Sequence, residues 1–528
     1  MPEDRMYDGK HDANVNNENI KNNIDTKNNA DIRNNITGKV LGKRTEKVMQ
    51  KKETNRIIKT LFVIGGLFIV IIAYLTYFVL FVGNKYANNP YNRRQWAQED
   101  STLRGTIFDK NGVVLAYSEM NGESESQERI YPYGDMYCHV IGYNSRSYGK
   151  TLLESSYNKY LLNITDDNPV MDIKDMFKGD KKVGNNLKLT IDHTLQEKAY
   201  ELLGARNGAV VVMSPKTGEI LAMVSKPGFD PNGESLAAQW VDLIESKENP
   251  FVARAYQGLY APGSTFKVVT AVNAIENGMD DLVMEDTGSI VFEGKEIRNY
   301  GGTAYGTLDL RSALMVSSNV YFSQLGVNLG GKRIMDMANR IGMNKDIPFD
   351  LPVNKSRFTE PVGKLEAAHV SMGQGKTLVT PLHMAMIASA IANDGIMMKP
   401  YIVSEVVSSK GDVILSTRPS ELNKCMETEA ADMVKYLMKR VVDSGTGTGA
   451  AIPGISVSGK TGTAENELSV KEGGKEHAWF IGFAPTEDPV VAVAVIAEYS
   501  GSTGGAIAAP IAGQLMAAYL SSIGYVGE

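Results

Sequence analysis

The sequence Ala261-Pro262-Gly263-Ser264-Thr265-Phe266-Lys267 places a serine and a lysine three positions apart, at the start of an apolar run. The residues that follow have the pattern of a buried helix, so we expect Ser264 near a helix N terminus with Lys267 one turn later on the same face. A neutral serine is a poor nucleophile and needs an adjacent base. A lysine can be that base because burial near another cation lowers its pKa. These seven residues therefore predict a nucleophilic serine, whose own amide can help to bind an oxyanion.

Two further motifs follow the serine: Ser317-Ser318-Asn319 and Lys460-Thr461-Gly462-Thr463. Ser-x-x-Lys, Ser-x-Asn and Lys-Thr-Gly, in this order, are three elements of an active-serine acyl-transfer site that takes penicillin-like substrates. Their wide spacing lets three separate segments converge on one cleft. The Ser317 hydroxyl can pass a proton between lysines, and the Asn319 carboxamide can hold a substrate amide. The catalytic candidates are therefore Ser264, Lys267, Ser317 and Lys460, and the substrate-binding candidates are Asn319, Thr461, Gly462 and Thr463.

The Lys-Thr-Gly segment has the composition of a strand. A glycine within a strand often marks a place where another backbone approaches closely, which we expect at Gly462. A peptide substrate can add to the edge of such a strand, with Lys460 and the threonine hydroxyls facing its carboxylate.

The same short motifs also occur elsewhere in the chain. Ser156-Tyr157-Asn158-Lys159 satisfies two of them, and Lys216-Thr217-Gly218 repeats the third before the serine. The first has no later partner in the required order. The second lies between two apolar runs, where Lys and Gly are ordinary turn residues. We interpret both as structural, together with His369, His383 and His477, because no Ser-His-Asp arrangement is supported.

The N-terminal residues predict where the chain works. Residues 1–59 are polar and basic near their end, and we expect disorder up to about residue 36 because this segment cannot bury enough apolar surface to offset the entropy of ordering. Residues 60–83 are predicted to be a membrane anchor. The charge-free run within them covers about 30 Å at about 1.5 Å per residue, which is one bilayer core. It exceeds the apolar core of a signal peptide and ends without a small-x-small site, so we expect it to remain uncleaved.

The charges that flank the anchor predict its orientation. The preceding side carries more Lys and Arg than the following side, which offers Lys85, Arg93 and Arg94. The positive-inside rule therefore predicts a single-pass protein of the cell membrane with a cytoplasmic N terminus and an extracytoplasmic catalytic region. ATP and NAD are scarce there, and the sequence has no Walker loop or dinucleotide fingerprint.

Two folded regions are expected after the anchor. Residues 84–187 predict a small α+β pedestal, in which residues 104–116 form a hairpin around Asp-Lys-Asn-Gly. Residues 188–528 predict a catalytic domain. It begins with two apolar strands around Lys216 and has a late strand at residues 490–498, with helical patterns between them. Strands at both ends with helices between predict an α+β fold, with an antiparallel sheet flanked by helices.

Composition excludes several classes of function. The net charge of −6 over 528 residues is mild, so nucleic acid is not an expected partner. The six histidines are scattered and no metal-ligand spacing occurs, so we expect neither a metal nor another cofactor. The two cysteines, Cys138 and Cys425, lie far apart and indicate neither a disulfide framework nor a redox pair.

From about residue 85 onward the chain closely resembles class B penicillin-binding proteins, the membrane-anchored D,D-transpeptidases of bacterial peptidoglycan synthesis. Besides the three motifs, the resemblance includes Arg104-Gly105-Thr106-Ile107, Ser371-Met372-Gly373-Gln374-Gly375 and Gly445-Thr446-Gly447. The short pedestal, with Arg129-Ile130-Tyr131-Pro132, resembles the dimerisation-like pedestal of the penicillin-binding protein A subgroup.

This resemblance implies a mechanism. Ser264 attacks the penultimate D-Ala carbonyl of a stem peptide and expels the terminal D-Ala. Lys267 accepts the serine proton, Ser317 and Lys460 relay it, and the amides of Ser264 and Thr463 form the oxyanion hole. An amine of a second stem peptide takes the acyl group, whereas β-lactams acylate the serine and stay. Class A transglycosylase motifs are absent, so glycan polymerisation needs a partner, for which a SEDS-family polymerase is a plausible candidate.

Two alternatives remain open at this stage. A β-lactamase or D,D-carboxypeptidase could share the fold, but class A lactamases need a glutamate that activates water. Glu360 and Glu366 lie in the region without the required setting. A β-lactam sensor or a scaffold of a cell-wall complex is the non-enzymatic alternative. A sensor would be expected to carry a cytoplasmic effector domain, which the Asn-rich tail does not resemble.

Overall fold

The computed structural model describes residues 20–82, 102–120, 127–164, 182–464 and 475–525. The chain divides into two units, Met1–Asn89 and Pro90–Glu528.

In the described part of the first unit, an α-helix, Ile20–Tyr77, is followed by a π-helical turn, Phe78–Val82. Among the described residues it is the one helix that is long and apolar enough to cross a membrane, by length and composition. The chain therefore has one helix suited to a single-pass membrane anchor. The helix also includes residues 20–36, which differs from the disorder predicted there, and residues 1–19 lie outside the described ranges. This part contains no proline, and a helix already formed extends by one hydrogen bond per residue without a new nucleation cost.

The second unit contains a six-stranded sheet that begins with the predicted hairpin. Ile107–Phe108 pairs antiparallel with Val114–Met120, and the Asp109 carboxylate accepts hydrogen bonds from the turn amides of Asn111 (2.8 Å) and Val113 (2.7 Å). The hairpin prediction is confirmed. The strands follow the order Val413–Ser416, Val403–Val407, Asn186–Leu189, Ile107–Phe108, Val114–Met120 and Gln127–Ile130.

The expected boundary between residues 187 and 188 lies inside one strand of this sheet, Asn186–Leu189. That strand pairs parallel with Ile107–Phe108 of the pedestal and antiparallel with Val403–Val407, which comes much later in the chain. The pedestal and the following region therefore share a sheet. Local composition could not predict this, because the strand that completes the sheet is distant in sequence.

A second sheet has five strands, all antiparallel, and carries the Lys-Thr-Gly motif on one edge. Its order is Ile220–Lys226, Gly208–Met213, Val491–Ala497, His477–Ala484 and Ser458–Ala464. We call Ser458–Ala464 the motif strand. Among the described strands it pairs with His477–Ala484 alone, so its other edge is a place where a further strand can be added.

Helices cover both faces of this sheet. Along Val491–Ala497, residues 492, 494 and 496 enter one hydrophobic core, and residues 491, 493 and 495 enter the other. This alternation is the period of a strand buried on both sides. Pro381–Ala392, buried along its whole length, packs on the first face, and Ala508–Ser522 packs on the second. The α+β prediction of an antiparallel sheet flanked by helices is confirmed.

The remaining elements surround these two sheets. The other α-helices of the described ranges are Leu152–Ser156, Asn158–Leu161, His193–Leu203, Gly233–Glu245, Lys267–Glu276, Leu310–Val316, Asn319–Arg340, Lys364–Ser371 and Thr428–Ser444. Two-stranded pairs join Thr102–Leu103 to Lys182–Val183, Asn144–Ser145 to Gly149–Lys150, Met284–Asp286 to Gly306–Leu308, Ser289–Phe292 to Lys295–Arg298, and Ile396–Met398 to Glu421–Lys424.

Candidate active site

Ser264 lies in a 3₁₀ turn, Gly263–Phe266, that leads directly into the helix Lys267–Glu276. The predicted position near a helix N terminus is therefore confirmed. Gly263 has a φ of +53°, a conformation that glycine adopts without steric cost. The Thr265 hydroxyl donates to the Pro262 carbonyl (2.7 Å) and tightens the turn.

A segment from elsewhere in the chain supports this turn. The Gly263 N–H donates to the carbonyl of Gly373 (3.0 Å), and a Cβ on Gly373 would lie 2.1 Å from the Gly263 carbonyl oxygen. Only glycine fits at residue 373, because its φ is +74° as well. The Ser371-Met372-Gly373 motif therefore supports the serine turn through this backbone contact.

Ser317 lies between the two lysines. Its backbone is left-handed, with φ +61° and ψ +41°, a strained conformation that non-glycine residues often show at functional sites. The Lys460 Nζ donates to the Ser317 Oγ (2.9 Å), and the Lys267 Nζ lies 3.4 Å from the same oxygen. The Lys267 Nζ also donates to the Ser317 carbonyl (2.8 Å) and to the Asn319 Oδ1 (2.7 Å). Three segments distant in sequence therefore meet through one hydroxyl.

Both lysines are fully buried, with 0% of each residue exposed. Burial lowers the pKa of Lys267 well below its usual value, and the nearby Lys460 lowers it further, whereas Asp286 acts in the opposite direction. Burial alone lowers the pKa of Lys460 to about 7. Neutral amines that can accept a proton are therefore available near neutral pH.

Within the described ranges, the Ser264 Oγ has no hydrogen-bond partner, because the Lys267 amine is turned toward the Ser-x-Asn loop. Catalytic hydrogen bonds are often long or absent in ligand-free structures and form in the substrate complex. Ser264 is in the turn and Lys267, three positions later, is the first residue of the helix that follows it.

The motif strand packs directly against the serine turn. A Cβ on Gly462 would lie 3.0 Å from the Thr265 Cγ2 and 3.2 Å from the Pro262 carbonyl oxygen, so the predicted close approach is present. The Thr461 Oγ1 shares a hydrogen bond of 2.6 Å with the Thr446 Oγ1. Thr463 lies one residue before the end of the strand, paired with Ala478. The strand thus presents two hydroxyls side by side near the serine.

The structure also identifies supporting residues that sequence reasoning missed. The buried Asp286 carboxylate accepts from the Ser318 hydroxyl (2.5 Å) and from the Asn299 amide (2.7 and 2.8 Å). The Asn299 Oδ1 accepts from the backbone N–H groups of Asn319 (2.7 Å) and Val320 (3.1 Å). This network holds the Ser-x-Asn loop in position. No local motif marks Asp286 or Asn299, and for Thr446 the only sequence signal is its place between two glycines.

A cleft of about 1580 Å³ extends from Asn319 past the segment that precedes the serine. Its walls include Tyr260, Arg357 and His369, and its far end includes His477 and Glu498. The cleft is large enough for an extended peptide. His477 and His369, which we interpreted as structural, therefore lie on its wall, whereas His383 is buried and bound to Ser356 and Ile341.

The two repeated motifs lie away from these contacts. Asn158 accepts from Arg104 (2.7 Å) within a buried ion-pair network of the pedestal that also contains Glu154 and Arg129. Lys216 lies in the turn between two strands and forms an exposed ion pair with Asp488. Among the described residues, no group of three or more His, Cys, Asp or Glu side chains could hold a metal ion.

Comparison with known proteins identifies both parts of the second unit. The family model of the penicillin-binding protein transpeptidase domain matches residues 208–517, and that of the penicillin-binding protein A dimerisation domain matches residues 104–187. The peptidoglycan D,D-transpeptidase PbpA of Mycolicibacterium smegmatis is 34% identical over 86% of this chain and 96% of its own length. Its Mycobacterium tuberculosis counterpart is 33% identical over 84% and 95%.

Solved structures show the same likeness. The ceftriaxone acyl-enzyme complex of penicillin-binding protein A from M. tuberculosis covers 80% of this chain and 99% of its own, with 33% identity and a TM-score of 0.76. The D,D-transpeptidase domain of a peptidoglycan glycosyltransferase from Eggerthella lenta covers 81% and 100%, with 35% identity and a TM-score of 0.72. The chain therefore belongs to the penicillin-binding transpeptidase family, in the group that carries the penicillin-binding protein A dimerisation domain.

Proposed function

We propose that this chain is a membrane-anchored peptidoglycan D,D-transpeptidase that cross-links stem peptides through an acyl-serine intermediate on Ser264. The observation that carries the proposal is the hydrogen-bonded set Lys267, Ser317 and Lys460 beside the serine turn. The names of the relatives support the same reaction, since they are peptidoglycan D,D-transpeptidases, and a structural neighbour is an acyl-enzyme formed with a β-lactam.

In the acylation step, the Ser264 Oγ attacks the carbonyl of the penultimate D-Ala and its proton passes to the neutral Lys267 amine. The tetrahedral oxyanion is stabilised by the backbone amides of Ser264 and Thr463. The proton then moves through the Ser317 hydroxyl to the Lys460 amine, and from there to the nitrogen of the departing D-Ala. The short Ser317–Lys460 contact of 2.9 Å supports this relay.

The substrate is held by three groups around the serine. Asn319, whose amide nitrogen donates to the Arg298 carbonyl (2.8 Å), presents its carboxamide at the cleft and contacts a substrate amide. Thr461 and Thr463 bind the terminal carboxylate, or that of a penicillin, and Thr446 supplies a neighbouring hydroxyl. The Gly462 backbone allows the peptide to lie along the exposed edge of the motif strand.

The acyl group then passes to an amine of a second stem peptide, which forms the cross-link. A β-lactam acylates the same serine, and its ring-opened product keeps the leaving nitrogen attached. Within the described residues no hydrogen bond joins Glu360 or Glu366 to Ser264, Lys267, Ser317 or Lys460, and Glu366 instead accepts from the Val362 N–H (2.8 Å). The structure thus offers no specific observation in favour of the lactamase alternative.

The proposal is tested by labelling the full-length protein in detergent with fluorescent penicillin and locating the adduct by peptide mass. We expect one adduct on Ser264, release of D-Ala from a D-Ala-D-Ala peptide, and a cross-linked product when an amine acceptor is added. An adduct on any other residue, no adduct, or rapid nitrocefin turnover would contradict the transpeptidase assignment.

We also propose that the N terminus is cytoplasmic and the catalytic region extracytoplasmic, because the charge before the anchor exceeds that after it. Cysteines introduced at two exposed sites test this. Val291→Cys lies in the second unit and Lys47→Cys precedes the anchor, while the native Cys138 and Cys425 are buried. A membrane-impermeant maleimide applied to intact cells is expected to label the first variant and not the second. The reverse pattern would contradict this orientation.

The domain roles are a further part of the proposal. Residues 84–187 serve as a pedestal that orients the catalytic region, residues 188–528. A chain shortened to begin at residue 188 is expected to lose penicillin labelling and fold poorly, because Val403–Val407 would lose half of its partner strand and the sheet would lose Ile107–Phe108. Full labelling by the shortened chain would contradict a shared fold.

For glycan polymerisation the chain needs a partner, and we propose a SEDS-family polymerase. Neither domain matched by the family models is described as a polymerase. Cross-linking in membranes, followed by purification through the full-length chain, is expected to recover such a multi-pass protein. Its absence from cross-linked complexes that still contain active transpeptidase would contradict this partner.

A further inference from the structure

The far end of the cleft contains a carboxylate with an unused oxygen. The Glu498 side chain is 9% exposed, and its Oε1 accepts from the Arg254 Nε (2.9 Å) and from the Tyr260 hydroxyl (2.5 Å). The Glu498 Oε2 has no hydrogen-bond partner within the described ranges, and Glu498 lines the cleft. A nearly buried carboxylate whose second oxygen lacks a partner is a ready acceptor for a cationic donor.

The residues around this carboxylate hold it in place. Arg254 donates its two terminal nitrogens to the carbonyls of Asn249 (3.2 Å) and Glu248 (2.5 Å), so the guanidinium is held beside the carboxylate on the cleft wall. The Tyr260 hydroxyl donates to Glu498, and its oxygen keeps lone pairs that can accept. Glu498 and Tyr260 thus present two acceptors at one point of the cleft wall.

His477 closes this end of the cleft as a neutral ring. Its Nδ1 accepts from the Tyr499 backbone N–H (3.1 Å), so the proton resides on Nε2. Burial lowers the pKa of His477, although the neighbouring Glu498 acts in the opposite direction. The imidazole stands edge-on to the Tyr260 ring at 5.7 Å and adds no positive charge that would repel a cation.

The arrangement of the motif strand gives the direction in which a substrate reaches this point. Thr461, the carboxylate anchor of the proposed function, lies in the middle of the strand, and a Cβ on Gly263 beside the nucleophile would touch Ala464 at its end (3.1 Å). Ala464 pairs with His477, and the next strand continues to Glu498. A peptide with its terminal carboxylate at Thr461 therefore runs past the serine toward the Ala464 end of the motif strand with the residues that precede the attacked D-Ala. His477 and Glu498 lie at the same end of the sheet.

We propose that Glu498 and Tyr260 bind the side-chain ammonium of the donor stem peptide, on the residue that precedes the D-Ala attacked by Ser264. The inference rests on the proposed transpeptidase function. In that reaction the cross-link is made to an amine of a stem peptide, so each stem peptide, the donor included, carries one. An ammonium has three donors and no acceptor, which matches the two acceptors at this wall. The subsite selects donors with a free amine over donors whose amine is already acylated.

Two peptide donors test this subsite in the full-length protein in detergent. Both end in D-Ala-D-Ala, and the preceding residue is lysine in one and Nε-acetyl-lysine in the other. Excess hydroxylamine serves as a common acceptor, so the free amine of the donor does not compete. We expect kcat/KM for D-Ala release to be about tenfold higher for the free-amine donor, as for one charged hydrogen bond. In Glu498→Gln, kcat/KM for the free-amine donor divided by kcat/KM for the acetylated donor is expected to fall to about one. In Tyr260→Phe this ratio is expected to fall to about three.

Glu276→Gln is the matched control. Glu276 is also a nearly buried carboxylate paired with an arginine, Arg340 (2.6 Å), but it does not line the cleft. We expect this variant to keep the wild-type ratio. Because the readout is a ratio, a general loss of activity does not change it. Equal kcat/KM for both donors in the wild type, or an equal fall of the ratio in Glu276→Gln, would overturn the inference.

The experiments distinguish failure of the proposed transpeptidase function from failure of the Glu498–Tyr260 subsite. If the proposed function is wrong, either Ser264 forms no penicillin adduct and neither donor releases D-Ala, or D-Ala is released without any product of transfer to the acceptor amine. If only the subsite is wrong, both donors release D-Ala with the same kcat/KM. A preference for the free amine that appears only when the two peptides act as acceptors would also contradict the assignment to the donor.

Discussion

The chain contains Lys-Thr-Gly twice, and the two copies differ in secondary structure, burial and contacts. Lys460 lies on the edge strand of the five-stranded sheet, is 0% exposed and donates to the Ser317 hydroxyl at 2.9 Å. Lys216 lies in the turn between two strands, where its side chain is 52% exposed and pairs with Asp488. The first copy has its charge suppressed by burial, whereas the second is solvated.

The two glycines differ in the same way. Gly218 has a φ of +81°, which a turn requires, and Gly462 has ordinary strand geometry. Gly462 is needed because the Thr265 Cγ2 and the Trp479 Cβ would each lie only 3.0 Å from an added Cβ, which is closer than ordinary van der Waals contact. The same tripeptide therefore belongs to the active site in one copy and to a surface turn in the other, because different residues pack against it.

Replacing the two lysines should give the largest contrast. We expect Lys460→Ala to slow acylation by penicillin by about 10³-fold, because the relay through Ser317 loses its final base. Lys216→Ala should change the rate by less than about twofold, since an exposed ion pair makes no contact with the site. Stopped-flow labelling of both proteins measures this. Similar losses in the two variants would show that the buried position of Lys460 is not what matters.

Replacing the two glycines by alanine should separate activity from stability. Gly462→Ala is expected to slow acylation by about 10²-fold, because its Cβ displaces the serine turn, whereas the loss of stability is small. Gly218→Ala should instead lower the free energy of unfolding by about 2–3 kcal/mol, because of its positive φ and a Cβ placed 2.3 Å from the Lys399 carbonyl oxygen. Acylation rates and thermal unfolding of both variants test this. The pattern would be refuted by a Gly218→Ala protein that is slow but fully stable.

The pH dependence of acylation should report the buried amines. Lys460, with its pKa lowered to about 7, and Lys267, lowered well below its usual value, must be neutral to accept a proton. We therefore expect the rate to fall about tenfold per pH unit below about pH 7 and to be level above it. Lys216→Ala should keep the same profile. A rate that stays constant between about pH 5.5 and about pH 9 would exclude a lysine base.

Removal of the exposed ion pair between Lys216 and Asp488 should have the smallest effect, on the free energy of unfolding. Lys216→Ala and Asp488→Ala are each expected to change the free energy of unfolding by less than about 0.5 kcal/mol, because an exposed pair is screened and costs side-chain entropy. Urea unfolding with and without salt measures it. A salt-sensitive loss of more than about 1 kcal/mol would mean that this turn contributes more than an ordinary surface contact.

Sequence reasoning reached much of the site because its elements are local. Ser264 and Lys267 are one helical turn apart, and the strand character of the residues around Lys460 follows from their composition. The buried supports were not predictable in this way. Asp286 and Asn299 act through hydrogen bonds to Ser318 and Asn319, which are distant in sequence, and nothing in their neighbours marks them.

The sequence by itself predicted the membrane-compatible helix and the α+β fold. It also gave the order of the three motifs and the class of reaction to which they belong. These depend on local patterns of apolar, polar and turn-forming residues. Only the tertiary structure decided that Lys460 contacts the Ser317 hydroxyl, that Val403–Val407 completes the pedestal sheet, and that Glu498 meets Tyr260 and Arg254 at the end of the cleft. The reason is that burial, lysine pKa values and close glycine contacts are properties of neighbours in space, which chain order does not encode locally.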